Sequence, residues 1–168
     1  TRLQVTSMNV EFVNPFLSSI SNVLATMAMI EPKSGKPTIQ TDDFSPAEIT
    51  GIIEMNSPQS HGVLAISFTE PLIHEVTKRM LGDDAETADE TLKDLVGEIT
   101  NMVCGNAKAI LDQKGFDFDM AIPKVVIGRN RAKTFPSGCK VIVVPFSTEF
   151  GEFFVEIGFE KTAEVAPH

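Results

Sequence analysis

The sequence predicts an α+β fold in which helices pack on one face of a largely antiparallel sheet. Two observations carry this. Apolar residues recur at helical spacing in three separate stretches, and the strand-like runs between them come in neighbouring groups joined by short, breaker-rich turns. A doubly wound parallel sheet would instead alternate single strands with helices. A length of 168 residues and an apolar content of 42% suffice for one buried core, so a single domain spanning residues 1–168 is expected.

The first helical stretch runs from Asn9 to Ile30, where Val10, Val13, Leu17, Ile20, Val23, Leu24, Met27 and Ile30 recur at steps of three and four. Pro15 sits early in it, which leaves two arrangements: Asn14 caps a helix that begins there, or the helix starts near Asn9 and bends. The cluster Glu31–Pro37, with two prolines and a glycine, ends it. A short strand over Thr38–Thr41 leads to a hairpin of Glu48–Asn56 and Gly62–Phe68 joined by the loop Ser57–His61. Pro71 opens a second helix to Leu81, with Leu72, Ile73, Val76, Met80 and Leu81 as its buried stripe and Gly82-Asp83-Asp84 as its stop. An acidic linker around Glu86–Glu90 precedes a long third helix that continues to about Lys114 and is terminated by Gly115. Three strand-like segments complete the chain, Asp117–Ile127, Lys140–Ser147 and Glu152–Glu160, with turns at Pro136-Ser137-Gly138 and Gly151. The tail from about residue 162 should fray.

Charge narrows the function. A formal net charge of −9 opposes a nucleic-acid surface, and the densest basic cluster, Arg129-Asn130-Arg131-Ala132-Lys133, is one short loop. No long apolar run supports a membrane span, and the first residues lack the pattern of a secretory signal, so the expected compartment is the cytoplasm. Cys104, inside a helical pattern, and Cys139, at a strand start, make no disulfide framework; Cys104 reads as a buried thiol rather than a nucleophile. His61, His74 and His168 are scattered, and Asp83-Asp84 reads as a turn, so no metal or cofactor of this chain's own is expected.

The third helix carries the candidate chemistry. At roughly 100° per residue, Leu92, Leu95, Val96, Ile99, Met102, Val103 and Ile110 gather into one apolar sector that should face the sheet. Asn106 falls within it as an expected core amide. Opposite lie Asp94, Glu98, Asn101, Gly105 and Lys108, a continuous polar stripe. Glu98 and Asn101 stand about 4.5 Å apart along the axis and roughly 60° apart around it, so one partner cleft could take both. Gly105 costs the helix about 1 kcal/mol against alanine; either another part of this chain or a partner surface lies close to it. An amide cannot act as a general base, yet it can accept a proton from water while donating to a phosphoryl oxygen, which fixes an attack geometry. A carboxylate beside it can grip a lysine or arginine of a partner. Spacing alone leaves two readings open, a working site or a solvated helix face.

The stretch DLVGEITNMVCGNAK from Asp94 to Lys108, followed by PKVVIGR from Pro123 to Arg129 and preceded by IEPKSGKP after the first helix, resembles the CheC/CheX/FliY family of bacterial chemotaxis phosphatases, its CheX branch most of all. The resemblance implies a protein aspartyl-phosphate phosphatase that docks on a phosphorylated CheY-type response regulator. Asn101 would orient the attacking water and Glu98 would pair with the regulator's active-site lysine. Asp94, Gly105 and Lys108 would complete the partner surface. Mg²⁺ is expected in the regulator's acidic pocket, and a homodimer that joins sheets edge to edge is expected as well. A fainter copy of the motif, Glu11 and Asn14 with Pro37, echoes Glu98, Asn101 and Pro123; Pro15 directly after Asn14 argues against a second site. The competing reading is a non-catalytic module of the same fold that binds a regulator or a flagellar protein.

Overall fold

The computed structural model describes residues 2–40, 46–57, 60–84, 88–115, 117–129, 135 and 140–161. Among them lie three helices, α1 (Arg2–Met27), α2 (Glu70–Leu81) and α3 (Asp89–Gln113). The strands are β1 (Lys33–Ser34), β2 (Thr38–Gln40), β3 (Ile49–Asn56), β4 (Ser60–Phe68), β5 (Asp119–Met120), β6 (Lys124–Ile127), β7 (Val141–Thr148) and β8 (Gly151–Lys161). All pair antiparallel in one sheet of order β1-β7-β8-β4-β3-β5, with β2 also on β7 and β6 also on β3. The expected α+β architecture is therefore present. The frayed tail, Cys139, the Pro136-Ser137-Gly138 turn, Glu86, Asn130 to Lys133 and His168 lie outside the described residues.

The period-two alternation of the strands divides the sheet into two unequal faces. Ile49, Ile53 and Met55 of β3, Leu64, Ile66 and Phe68 of β4, Val144 and Phe146 of β7, and Phe153, Val155 and Ile157 of β8 share a core with the helices. Register places Phe68, Phe153 and Phe146 side by side. Their rings stack, with centroids 5.7 Å apart for Phe68–Phe153 and 4.6 Å for Phe146–Phe153. On the far face Ile52, Val63, Ala65, Val141 and Phe135 form a smaller cluster.

Element ends differ from the sequence expectation in physically readable ways. α1 starts well before Asn9 and passes through Pro15 as a helix, so Asn14 is no cap. The helix loses there only the hydrogen bond that residue 15 would have donated to the Glu11 carbonyl. It also ends at Met27, ahead of the breaker cluster: Met29 adopts a left-handed φ of 56°, and Ile30 N donates to Leu24 O at 3.0 Å, which closes the helix end without glycine. Arg79 secures this turn by donating to the carbonyls of Ala28 and Met29. The hairpin loop is shorter than expected, because β8 runs on to Lys161 and pairs with Ser60 and His61. Leu81, expected in the buried stripe of α2, is 55% exposed at the last turn, whereas Thr77 is buried and donates to Ile73 O. The segment Asp117–Ile127 splits in two, since Pro123 has no N–H to give to the ladder.

One contact decides where α3 sits. A Cβ built on Gly51, in the middle of β3, would lie 2.1 Å from Thr100 Oγ1, 3.1 Å from Val96 Cγ1 and 3.2 Å from Thr100 Cβ. The helix thus approaches the strand closely enough that only glycine fits. Thr100 is wholly buried there, and its hydroxyl is satisfied by Val96 O at 2.7 Å.

Gly51→Ala should accordingly destabilise the protein by about 1–3 kcal/mol through overpacking. Thr100→Ala, which removes the closest atom, should recover part of that loss in the double mutant. Chemical denaturation of the four proteins measures the coupling; strictly additive effects would mean that the two residues do not share this contact.

Candidate functional site

α3 buries Leu92, Leu95, Val96, Ile99, Thr100, Val103, Cys104, Ala107 and Leu111, packing on α1 as well as on β3 and β6. Met102 and Ile110, placed by the sequence in the apolar sector, are half-buried. The expectation for Asn106 is overturned: it is exposed. The buried arc turns along the helix, from Leu95 and Ile99 in the first half to Cys104, Ala107 and Leu111 in the second. Such drift follows when one helix crosses another at an angle and the two part, and it carries Asn106 out of the core.

The polar stripe falls on the opposite side. Asp94, Glu98, Asn101 and Gly105 are exposed and Lys108 is half-buried. Among the described residues, the side chains of Asp94, Glu98 and Asn101 make no hydrogen bond or ion pair, so their polar groups face outward unspent. Both members of the candidate pair therefore point away from the interior from one helical turn, as the chemistry requires. Lys108 differs. Its ammonium donates to Phe118 O and lies 3.5 Å from Asp112 Oδ1, which ties the end of the stripe to the segment leading into β5. Nothing lies within 4 Å of a Cβ built on Gly105, so no part of the described chain accounts for that glycine.

The surroundings of the stripe are set by the β5–β6 edge. Val125 Cγ2 stands 3.6 Å from a Cβ built on Gly97. At the end of β6, Arg129 donates to Glu48 Oε2 through Nε and Nη2 at 3.1 and 3.0 Å, while Glu70 N donates to Glu48 Oε1 at 2.9 Å. Burial alone would raise the Glu48 carboxyl, but the Glu70 amide and the Arg129 guanidinium together hold its pKa below the usual value. Arg129 thus closes β6 onto the start of β3 and the first turn of α2. Sequence reasoning missed Gly51, Thr100 and this knot; the one available signal was a glycine inside an otherwise apolar strand run.

Other chemistries find no footing among the described residues. Burial pushes the Cys104 thiol up to about 12, which leaves it protonated at neutral pH. Among the described residues no group of three His, Cys, Asp or Glu side chains converges as a metal site. His61 lies in the hairpin, with Nδ1 2.6 Å from Asn56 Oδ1, and His74 lies on α2. Asp83-Asp84 forms a turn, as expected. Among the described residues no helix is long and apolar enough to cross a membrane. The fainter copy of the motif has Asn14 exposed on α1, lining a groove with Ser18, Ser21 and Lys114, while the side chain of Glu11 lies outside the described set.

The family profile described as chemotaxis phosphatase CheX matches residues 49–147, a stretch that contains β3, α3 and the β5–β6 edge. The chain is similar to a CheC-like superfamily protein from Shewanella sp. PV-4 (48% identity, TM-score 0.83, covering 90% of this chain and 99% of that one). It is also similar to the chemotaxis protein CheX from Vibrio vulnificus (46% identity, TM-score 0.81, covering 89% and 99%). The CheY-P phosphatase CheX of Thermotoga maritima is 28% identical over 144 residues, which are 84% of this chain and 92% of that protein. At the level of fold alone, the likeness extends to the CheX–CheY–BeF3–Mg²⁺ complex from Borrelia burgdorferi (24% identity, TM-score 0.73, covering 89% and 97%).

Two outcomes follow from this geometry. Because Gly105 is mid-helix with open space beside it, Gly105→Ala should stabilise the free protein by about 1 kcal/mol; a lower denaturation midpoint would reveal an internal contact. In a Cys139→Ser background, Cys104 should resist alkylation in the native state at pH 8 and react at once after unfolding, as followed by mass spectrometry.

Proposed function

Since the chain belongs to the family of chemotaxis phosphatase CheX, we propose that it hydrolyses the aspartyl phosphate of a CheY-type receiver domain, using Asn101 and Glu98 of α3. The observation that carries this reading is the outward, unspent pair on one turn of a helix held fast against the sheet. In the docked complex the Asn101 amide orients a water in line with the phosphorus–oxygen bond to the aspartate. The water oxygen bonds to phosphorus, the aspartate oxygen leaves as a carboxylate, and inorganic phosphate is released. The amide contributes position, since it has no useful pKa. Mg²⁺ held by the receiver's own carboxylates supplies charge neutralisation at the transferring group.

Glu98 has the complementary role of pairing with a lysine at the receiver's active site, which fixes the approach of α3. Asp94 borders the docking face, and Gly105 leaves room for the partner to come close. Lys108 serves the same surface indirectly, by anchoring the Phe118 carbonyl at the end of the stripe. The acidic chain acts in the cytoplasm, where receiver domains are phosphorylated. For a homodimer joined at sheet edges, β2 is an outer strand, with Ile39 56% exposed.

With a phosphorylated receiver and Mg²⁺, adding the protein should shorten the lifetime of the phosphoryl group. Asn101→Ala should lower kcat at least about a hundredfold with binding retained. Glu98→Ala should chiefly weaken association and remove its salt-sensitive part. Phosphate release is read with a coupled colorimetric assay and affinity by titration at two salt concentrations. Tight binding by the wild type with an unchanged phosphoryl lifetime would leave a docking module in place of an enzyme.

A further inference from the structure

The edge strand beside the site is interrupted in a way that the hydrolytic step does not use. β5 pairs Met120 with Met55, and β6 resumes by pairing Lys124 with Ile52. Three residues, Ala121, Ile122 and Pro123, thus oppose two on β3, Ile53 and Glu54, which is a β-bulge. Ala121 still donates to Glu54 O at 3.0 Å, so the bulge is anchored, and the extra length emerges at Ile122, which is 90% exposed. No other large apolar side chain whose exposure is described is so exposed.

Two contacts locate Ile122 against α3. Val125 lies at Gly97, and the Phe118 carbonyl lies at Lys108, so the segment 118–125 runs antiparallel along one flank of the helix between those points. Asn101 is about a third of the way from Gly97 to Lys108, and Ile122 and Pro123 are about a third of the way from Val125 to Phe118. Interpolation between the two anchors thus puts the bulge beside the part of α3 that carries Asn101. On a helical wheel Gly97, Asn101 and Lys108 occupy the side of the stripe that faces this flank, at roughly 100° per residue.

We infer that Ile122 is a docking residue, which seats in an apolar depression of the receiver domain next to its phosphorylated site and helps to select the partner. The inference rests on the phosphatase reading and adds a contact to it. A receiver is favoured over a second copy of this chain as occupant, for two reasons. The surface is continuous with the Asn101 and Glu98 face, and the bulge with its proline breaks the row of backbone donors and acceptors that edge-to-edge pairing would need. An acid and an amide alone give little apolar burial, whereas a branched side chain next to them supplies it.

Ile122→Ser is the test, because so exposed a side chain can be replaced without disturbing the core. The KM for the phosphorylated receiver should rise about five- to tenfold, with kcat unchanged, and the dissociation constant measured by titration should rise in parallel. Leu81→Ser, another exposed apolar residue, on α2, should alter neither. Normal turnover and normal affinity in Ile122→Ser would overturn the docking role while leaving the phosphatase reading intact. Equal losses in both variants, or a change in sedimentation of Ile122→Ser in place of a change in KM, would overturn it in favour of general stickiness or a contact between copies. If the wild type binds without turnover, the affinity comparison still decides for or against Ile122 on its own; if it neither binds nor turns over, both proposals fall together.

Discussion

The seating of α3 on Gly51 fixes what the rest of the structure presents. The apolar sector of α3 sets broadly which side is buried, and a steric notch fixes its rotation more sharply than hydrophobicity alone. Thr100 enters the notch hydroxyl first, 2.1 Å from where any Cβ would stand, and its own hydrogen bond to Val96 O removes the cost of burying that oxygen. With Thr100 pinned inward, Asn101 is turned outward by about 100°, and Glu98 shares its side of the helix. Rotation about the axis, the one freedom that could hide the pair, is closed off.

A second constraint holds the flank. The β5–β6 edge is short and bulged, and would fray if it depended on its ladder alone. It is fastened at both ends by charge: Lys108 to the Phe118 carbonyl before β5, and Arg129 to Glu48 after β6. Exposed ion pairs contribute little stability as isolated contacts. Here their value is positional, since Glu48 also receives the Glu70 amide and so couples the end of β6 to the first turn of α2. The bulge between the two fasteners is consequently a fixed feature of the edge that packs beside α3.

The architecture and the outward pair were legible because both depend on periodicity. Helical spacing separated Asp94, Glu98, Asn101 and Gly105 from Leu95, Val96 and Ile99 before any coordinates, and the paired strand runs gave the antiparallel sheet. What could not be read were events that depend on a second element. Asn106 was placed inside because a fixed wheel assumes that one face stays buried along the whole helix, whereas the crossing with α1 turns the buried arc. Leu81 was placed inside because the pattern continues to the end of α2, where there is no longer anything to pack on. Ile122 lay within a run that reads as one strand, and its exposure follows from a mismatch of one residue with β3, a quantity no single segment contains. The turn at Met29 that follows α1 was equally hidden, because the distant guanidinium of Arg79 holds its carbonyls.

On the proposed mechanism the stripe needs neither histidine nor thiolate, because the labour is divided between two proteins. Where a partner brings the phosphoryl group, its metal and its leaving group already aligned, the missing part is a water held in line, and a neutral amide is well suited to hold it without competing for protons. Such help is effective only within about 0.5 Å of the right place. A loop would spend binding energy on ordering itself, whereas a residue in the middle of a 25-residue helix is ordered beforehand. The accuracy of the amide is then inherited from the helix, and that of the helix from its closest approach to the sheet. On the proposed mechanism, function at the surface is in this sense set in the core: the contact between Gly51 on β3 and Thr100 on α3 fixes the side of the helix from which Asn101 projects.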